Sequence, residues 1–416
     1  MELTEYIKHG FKETKIGWIP IDWNLKTLKD VCEVKGRIGY RGYTVNDIVP
    51  KGEGAITISP SNIKGTSLSF DDSTYISWYK YEESKEIQLQ SDDILLVKTG
   101  STFGKSALVK ELKEKATINP QLVIIKNINC NVKYLSYLIS DEIIQRQIFS
   151  VVVGGAIPTL SQENILKFAI PLPSLHEQKK IASFLSDWDK AIETTTNLIE
   201  KLKLRKKGLC QELLIGKKRL TGFTDEWQKI KAGDIFVNHT NKNHNGKLEV
   251  LSATQENGVI PRSETGIDIK YDKASLKNYK KIDIGDFVIS LRSFQGGIEY
   301  SNYEGLVSPA YTVLKEMIPI SKEYFREYFK TQNFINRLNS IIYGIRDGKQ
   351  ISYKEFSSLK ISIPSLNEQK AIANILLISD IEIKKQQEYL EQLQKQKKGL
   401  MQQLLTGKIR VNSKYE

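Results

Sequence analysis

Cysteine is scarce in this sequence. Cys32, Cys130 and Cys210 are odd in number and far apart, which argues against a disulfide framework or a cysteine metal site and fits a reducing cytoplasm. Long apolar runs are missing as well. No uncharged stretch is long enough to cross a bilayer, so no membrane partner is expected, and residues 1–20 hold no signal-peptide core. Histidine is rare, and His239 and His244 sit in a polar loop without acids or cysteines at ligand spacing; no metal is expected there. No glycine-rich cofactor fingerprint occurs, nor an Asn-Pro-Pro-aromatic methyltransferase signature.

Two fragments imitate catalytic motifs. Gly100-Ser101-Thr102-Phe103-Gly104-Lys105-Ser106 follows a predicted strand and looks like a phosphate-binding loop. It has three residues between its glycines where that loop needs four, so its amide cradle is one residue short; a tight β-turn is the expectation. Glu111-Leu112-Lys113 resembles half of a nuclease motif without its acidic partner, and reads as a surface helix turn. The chain is expected to perform no chemistry itself.

What is present is a soluble globular composition, with 40% hydrophobic residues in 416, enough for two or three cored domains. The net charge is +12, but residues 1–172 carry only +1 and residues 221–363 only +3. Most of the excess lies in the shorter segments 173–220 (+5) and 364–416 (+3). This map is compatible with a polyanionic partner.

Those two basic segments are copies of each other. Pro173-Ser174-Leu175-His176-Glu177-Gln178-Lys179-Lys180-Ile181-Ala182 returns 191 positions later as Pro364-Ser365-Leu366-Asn367-Glu368-Gln369-Lys370-Ala371-Ile372-Ala373. The offset holds without a gap to Gly216-Lys217 and Gly407-Lys408, with roughly half of the positions identical. Such a period marks two copies of one module.

Within each copy, apolar residues recur at spacings of four and three: Ile181, Leu185, Trp188, Ile192, Ile199, Leu202, Leu209 and Leu213, then Ile372, Leu376, Ile383, Leu390, Leu393, Leu400 and Leu404. This heptad seam predicts helices over 177–214 and 368–405, each about 57 Å long at about 1.5 Å per residue. The preceding prolines and following glycines are the expected punctuation. An antiparallel pair is predicted, with the chain ends meeting so that the fold is pseudo-circular. Lys206 and Lys397 interrupt the seam at equivalent places, as do Thr195 and Gln386. These side chains either snorkel from a loosely packed seam, or fix the register of the pair or face helices of a partner.

Between the helices lie two blocks with short β-like runs, at 93–97 and 121–125 in the first and at 286–290 and 310–314 in the second. The blocks correspond only in their frames: Trp23 with Asp30-Val31 mirrors Trp227 with Asp234-Ile235, and the strand at Asp93 mirrors the one at Asp286. Like frames with unlike contents suggest one task performed on two different objects.

Recognition candidates follow from side-chain chemistry. The loop 35–43 interleaves Lys35, Arg37, Tyr40, Arg41 and Tyr43 with three glycines, giving cations for phosphates or guanine edges, aromatic faces, and close backbone approach. The loop 98–105 offers Lys98, Thr99, Ser101 and Lys105. In the second block the candidates are Asn241, Lys242 and Asn243, then Arg292 and Gln295, then Arg346 and Lys349. Asn, Gln and Arg make two-point contacts to base edges; Asn-rich polar loops are also ordinary turns.

At these residues the chain resembles a known family, the specificity subunits of type I restriction-modification systems. The resemblance rests on Gly17-Trp18-Ile19-Pro20 followed by Trp23, on Asp93-Ile94-Leu95-Leu96-Val97 running into the 100–105 loop, and on Leu251-Ser252-Ala253-Thr254-Gln255-Glu256-Asn257-Gly258. Its most specific part is the doubled Pro-x-Leu-x-Glu-Gln-x-x-Ile-Ala start of each long helix. His176 and Asn367 stand where a second proline or another small residue is common. The resemblance implies a mixed α/β fold with two target-recognition domains, each reading one half of a split asymmetric DNA site, and an antiparallel coiled-coil pair that sets the unread spacing. It implies methyltransferase subunits, two of them, supplying S-adenosylmethionine and adenine methylation, and restriction-translocase subunits using ATP and Mg, with no cofactor bound by this chain. On this reading 1–172 and 217–363 are the recognition domains, and 173–216 and 364–416 the spacer helices with the C-terminal tail. The family's base-contacting residues vary with the target, so none carries over. Alternatives are the recognition subunit of a type II restriction-methylation enzyme, a stand-alone DNA-binding regulator, and a P-loop enzyme resting on the defective glycine loop.

Overall fold

Heptad periodicity becomes helix in both copies. The computed structural model describes residues 10–71, 73–151, 159–266, 273–291, 293–341 and 351–411. In it the repeats form two α-helices, Leu175–Leu213 and Leu366–Leu404. They start two residues earlier than the periodicity predicts, because the serine after each proline caps the helix: Ser174 Oγ accepts from Glu177 N at 3.3 Å and Ser365 Oγ from Glu368 N at 3.4 Å. At the far ends Gly216 and Gly407 adopt φ of 73° and 70°. Lys218 N and Ile409 N reach back to the carbonyls of Glu212 and Gln403, which closes each helix in the left-handed turn that glycine favours.

The chain divides into two compact units, residues 1–194 with 390–416, and residues 195–389. Each unit contains one of the two blocks between the repeats and a part of each long helix. In unit 1, Ile181, Ala182 and Leu185 share a core with Leu404 and Leu405. In unit 2, Leu213 and Leu214 share a core with Ile372, Ala373 and Leu376. Within each unit, then, the start of one helix lies beside the end of the other, which is the antiparallel pairing predicted.

The seam lysines settle the question left open above. Lys397 Nζ lies 2.6 Å from Asp189 Oδ1 in unit 1, and Lys206 Nζ lies 2.7 Å from Asp380 Oδ2 in unit 2. Both lysines and both aspartates are 191 positions apart, so one ion pair is made twice. Lys397 is buried, its ammonium 5.1 Å from the Tyr137 ring centre, while Lys206 also reaches Glu327 at 3.2 Å. These are register locks between facing helices, not snorkelling side chains, because each charge has a partner that only one alignment supplies.

Each unit carries the same four-stranded antiparallel sheet. In unit 1 its order is Ser106–Leu108, Ile94–Val97, Leu122–Lys126, Glu33–Gly36; in unit 2 it is Glu299–Tyr300, Phe287–Ile289, Thr312–Glu316, Phe236–Asn238. The aspartate ahead of the second strand closes a turn in both: Asp93 Oδ2 accepts from Gln90 N, and Asp286 Oδ2 from Asp283 N. Beyond this frame the units differ. Unit 1 adds a second four-stranded sheet of Ala116–Ile118, Gly54–Ile58, Thr74–Ser77 and Ile48–Val49, where unit 2 has the ribbons Leu251–Thr254 with Gly258–Pro261 and Lys280–Ile282 with Gly305–Val307. Unit 1's main core is mostly aliphatic, whereas Phe236, Phe287, Phe325, Phe329, Phe334 and Phe356 fill that of unit 2. Different packing inside one frame explains why the blocks correspond so weakly in sequence.

The repeated Glu-Gln pair joins each block to its helices. Gln178 Nε2 donates to Pro173 O, and its Oε1 accepts from Asn131 N at 2.8 Å; Gln369 does the same with Pro364 O and Ser321 N at 2.9 Å. Asn131 and Ser321 are the N-caps of the helices Val132–Ser140 and Lys322–Tyr328. The glutamates hold the tryptophans. Trp23 Nε1 donates to Glu177 at 3.0 Å and Trp227 Nε1 to Glu368 at 3.2 Å. An arginine three residues past each terminal glycine completes the joint: Arg410 grips Glu177 with two nitrogens, and Arg219 grips Glu368 likewise. In unit 2 Arg219 leads through unbroken chain to Trp227. In unit 1 the same joint brings Arg410 onto Asp22 and Glu177, so residues from opposite ends of the sequence meet, as the pseudo-circular reading predicts.

Candidate nucleic-acid interface

Strand register decides which loops share a location. In unit 1 Val123 pairs with Gly36 and Leu122 with Val97. The chain therefore leaves Gly36 and Val97 at one end of the sheet, and the loops 37–43 and 98–105 emerge together. In unit 2 Leu314 pairs with Asn238 and Thr312 with Ile289, so the loops after Asn238 and Ile289 also leave together, from the equivalent end. These four loops thus fall into one cluster per unit, at corresponding positions of the common frame.

Within the first cluster the residues have unequal freedom. Lys35 is half-exposed and pairs with Glu33 at 2.9 Å. Arg37, expected to reach outward, is buried. Its Nε and Nη2 donate to Ile118 O at 3.2 Å, Nη2 to Thr117 Oγ1 at 3.3 Å and Nη1 to Arg41 O at 3.2 Å. The guanidinium also lies 5.4 Å from the Tyr43 ring centre. Arg41 Nη1 donates to Glu83 O at 3.1 Å and lies 3.6 Å from Glu86. Both arginines bind the loop to its own domain. Tyr40 sits in the short turn Gly39–Arg41, its side chain outside the described residues.

Arg37→Ala is accordingly expected to destabilise the chain by about 2–3 kcal/mol, because it takes both guanidinium donors from the buried Ile118 carbonyl and one bond from the Thr117 hydroxyl, which keeps Ile87 O. Arg41→Ala, at a more exposed site, should cost less. Thermal or urea denaturation of the two variants reads this out. An unchanged melt together with weaker DNA binding would return Arg37 to a DNA-facing role.

The second loop of unit 1 is a hairpin. Ile94–Val97 pairs antiparallel with Ser106–Leu108, so the glycine-rich segment leads into a strand, where a phosphate loop leads into a helix. Gly104 has φ 82°, and a Cβ there would come 2.7 Å from Gln145 Oε1. Lys98 uses its backbone to bind Gln121 O and Leu160 N. Thr99 Oγ1 is 3.2 Å from Thr159 Oγ1, Ser101 is exposed, and exposed Lys105 reaches Ile63 O at 3.4 Å. The Glu111-Leu112-Lys113 segment is an irregular connection rather than the expected helix turn.

In unit 2, Asn241 accepts from Lys281 N through its carbonyl and from Asn243 N through Oδ1, at 2.7 and 2.9 Å. Lys242 and Asn243 are exposed. His244 braces this loop, with Nε2 2.9 Å from Tyr279 O and Nδ1 accepting from Gly246 N. No group of three or more metal-ligating side chains occurs among the described residues. Gln295 is exposed. Arg292, Arg346 and Lys349 lie outside the described residues.

Sequence reasoning passed over Asn119 and Gln121, whose turn enters the sheet between the two loops of unit 1. Asn119 Nδ2 donates to Gln121 Oε1 at 3.1 Å. An Asn-Pro-Gln turn directly before a strand was the available signal.

Glu299 is a buried acid behind the second cluster, with Lys330 Nζ at 2.6 Å. Burial pushes its carboxyl up to about 7 despite the lysine. A folded-state value above the unfolded one means that the associated stability is complete below about pH 4.5 and is lost as pH rises through about 7. Glu299→Gln should flatten that part of the stability profile, as measured by denaturation midpoints between pH 4.5 and 8. An equally steep profile in the variant would assign the dependence to other groups.

The chain is thus a duplicated α/β frame with unlike loops at the same sheet end of each copy. The family profile described as type I restriction modification DNA specificity domain matches the chain twice, at residues 20–204 and 224–394. The chain belongs to this family. It is 30% identical to the type I restriction enzyme MjaVIII specificity subunit of Methanocaldococcus jannaschii, over 98% of both chains. Its fold is similar to that of the type I restriction-modification S subunit from M. genitalium, with a TM-score of 0.52 and 17% identity over 92% of this chain and 96% of that one. It is likewise similar to the HsdS subunit of Thermoanaerobacter tengcongensis, with a TM-score of 0.51 and 15% identity over 94% and 98%.

Proposed function

We propose that each unit reads one half of a split, asymmetric duplex site through the loop cluster at its sheet end. Partner subunits then carry out adenine methylation or restriction at the site so chosen. The observation that carries this reading is the pairing of a repeated frame with unlike loops at the same place in both copies. Phosphate contacts position a protein on DNA, and only base-edge contacts and DNA shape distinguish sequences, so discrimination belongs to the parts that differ.

On this reading the chain is non-catalytic. Two methyltransferase subunits would bind S-adenosylmethionine, and restriction-translocase subunits would use ATP and Mg. The complex would work in the cytoplasm, where its DNA is. Mapping methylated adenines across a host genome with and without this gene tests the proposal. A bipartite motif that disappears with the gene is expected; an unchanged methylation map would refute it.

A further inference from the structure

Two exposed glutamines of unit 2 meet, Gln295 from the second cluster and Gln255 from a separate turn. Gln255, in the turn between the strands Leu251–Thr254 and Gly258–Pro261, donates from Nε2 to Gln295 Oε1 at 3.2 Å. Gln295 lies in the one-turn helix Ser293–Gly296. We infer that Gln295 reads an adenine edge by a two-point contact, and that Gln255 is the residue that orients it. This rests on the proposed reading of DNA by unit 2.

The chemistry follows from what the pair leaves open. A side-chain amide has two donors and two acceptor lone pairs. The bond from Gln255 occupies one lone pair of Gln295 Oε1 and leaves the other, together with the Nε2 donors. An acceptor and a donor side by side match the N6 amino group and N7 of adenine. A free glutamine side chain must give up rotamer entropy to present that pair, and one held by a neighbour has already done so.

Both loops rest on the same support. Lys330 Nζ donates to Gln255 O at 3.2 Å and to the buried Glu299 at 2.6 Å. Gly258 and Gly297 have φ of 71° and 84°, and a Cβ on them would come 2.6 Å from Tyr300 O and 2.1 Å from Phe329 O. The turn carrying Gln255 is therefore pressed on the strand Glu299–Tyr300, and the helix carrying Gln295 on the residue before Lys330. Thr254 Oγ1 further closes the Gln255 turn, donating to Gly258 O and accepting from Asn257 N. A single exposed hydrogen bond adds little stability, so a shelf built to hold two exposed amides in contact serves geometry.

The test uses the chain in complex with its co-purifying methyltransferase subunits. The probes are a duplex bearing the mapped target and a set with each base pair replaced in turn. Gln295→Ala is expected to weaken binding to the target about tenfold to a hundredfold and to abolish discrimination at one A·T pair. Gln255→Ala should relax that same pair, leave the others and the salt dependence unchanged, and add nothing to Gln295→Ala in the double variant. The inference is overturned if Gln255→Ala behaves as the parent, weakens every duplex equally, or relaxes a pair that Gln295→Ala does not. A parent complex with no base preference in that half-site would instead remove the functional reading beneath it.

Discussion

Exchanging residues 220–363 for the equivalent block of a relative will change one half of the DNA target and leave the other half as it was. The block begins just beyond Arg219 and ends at the strand Lys360–Ile363, which pairs with Gln228–Lys231 inside the same block. The groups that receive it, Arg219, Glu368 and Gln369, stay behind. An incoming block needs a tryptophan and a helix N-cap in the right places to be held as the native one is. Its loops then replace the native loops at the same sheet end. Methylation at the old half-site should fall by about a thousandfold or more, the usual gap between specific and non-specific sites, while a new half-site appears. Methylation mapping reads both changes at once. A swap that altered both half-sites, or neither, would end the modular account.

Removing the carboxylate of Glu368 will strongly destabilise the frame. Glu368 is buried, with bonds of 2.6 and 2.7 Å from Arg219 and 3.2 Å from Trp227. Alanine there strands an arginine and an indole N–H. Breaking a buried pair from one side costs about 3–5 kcal/mol, and the low end, about 3 kcal/mol, is expected because Arg219 keeps some contact with solvent. Glu177→Ala makes the equivalent cut in unit 1. Urea denaturation should show a large drop in midpoint for each variant. A loss under about 1 kcal/mol would reduce the joint to the standing of a surface ion pair.

The long helices were legible because their signals are local. A heptad seam, a proline-serine start and a glycine stop all lie within the helix or beside it, and they located both helices to within two residues. The strands at Asp93 and Asp286 were legible for the same reason. The clustering of the candidate loops was not, since it depends on register across a sheet whose strands are far apart in sequence. Arg37 shows the same limit at one residue. Its spacing in a glycine-rich loop suggested an outward cation, but its acceptors Thr117 and Ile118 lie 80 and 81 residues away. Gln255 stood within a stretch noted only for its resemblance to the family, and its meaning depends on a partner 40 residues on. The seam lysines fell between these cases: their repetition was visible, but the two aspartates that answer them were not singled out.

The joint that places Arg410 beside Asp22, 388 residues away, has a consequence for the order of synthesis. Unit 2 is one contiguous stretch, residues 195–389, so all of its parts are present once Tyr389 has been translated. Unit 1 is built from residues on both sides of unit 2 in the sequence, 1–194 and 390–416. Its sheets can form early, but Ile181 and Leu185 wait for Leu404 and Leu405, Asp189 for Lys397, and Glu177 for Arg410. On the ribosome, where domains generally fold as they emerge, the second unit is therefore able to finish before the first.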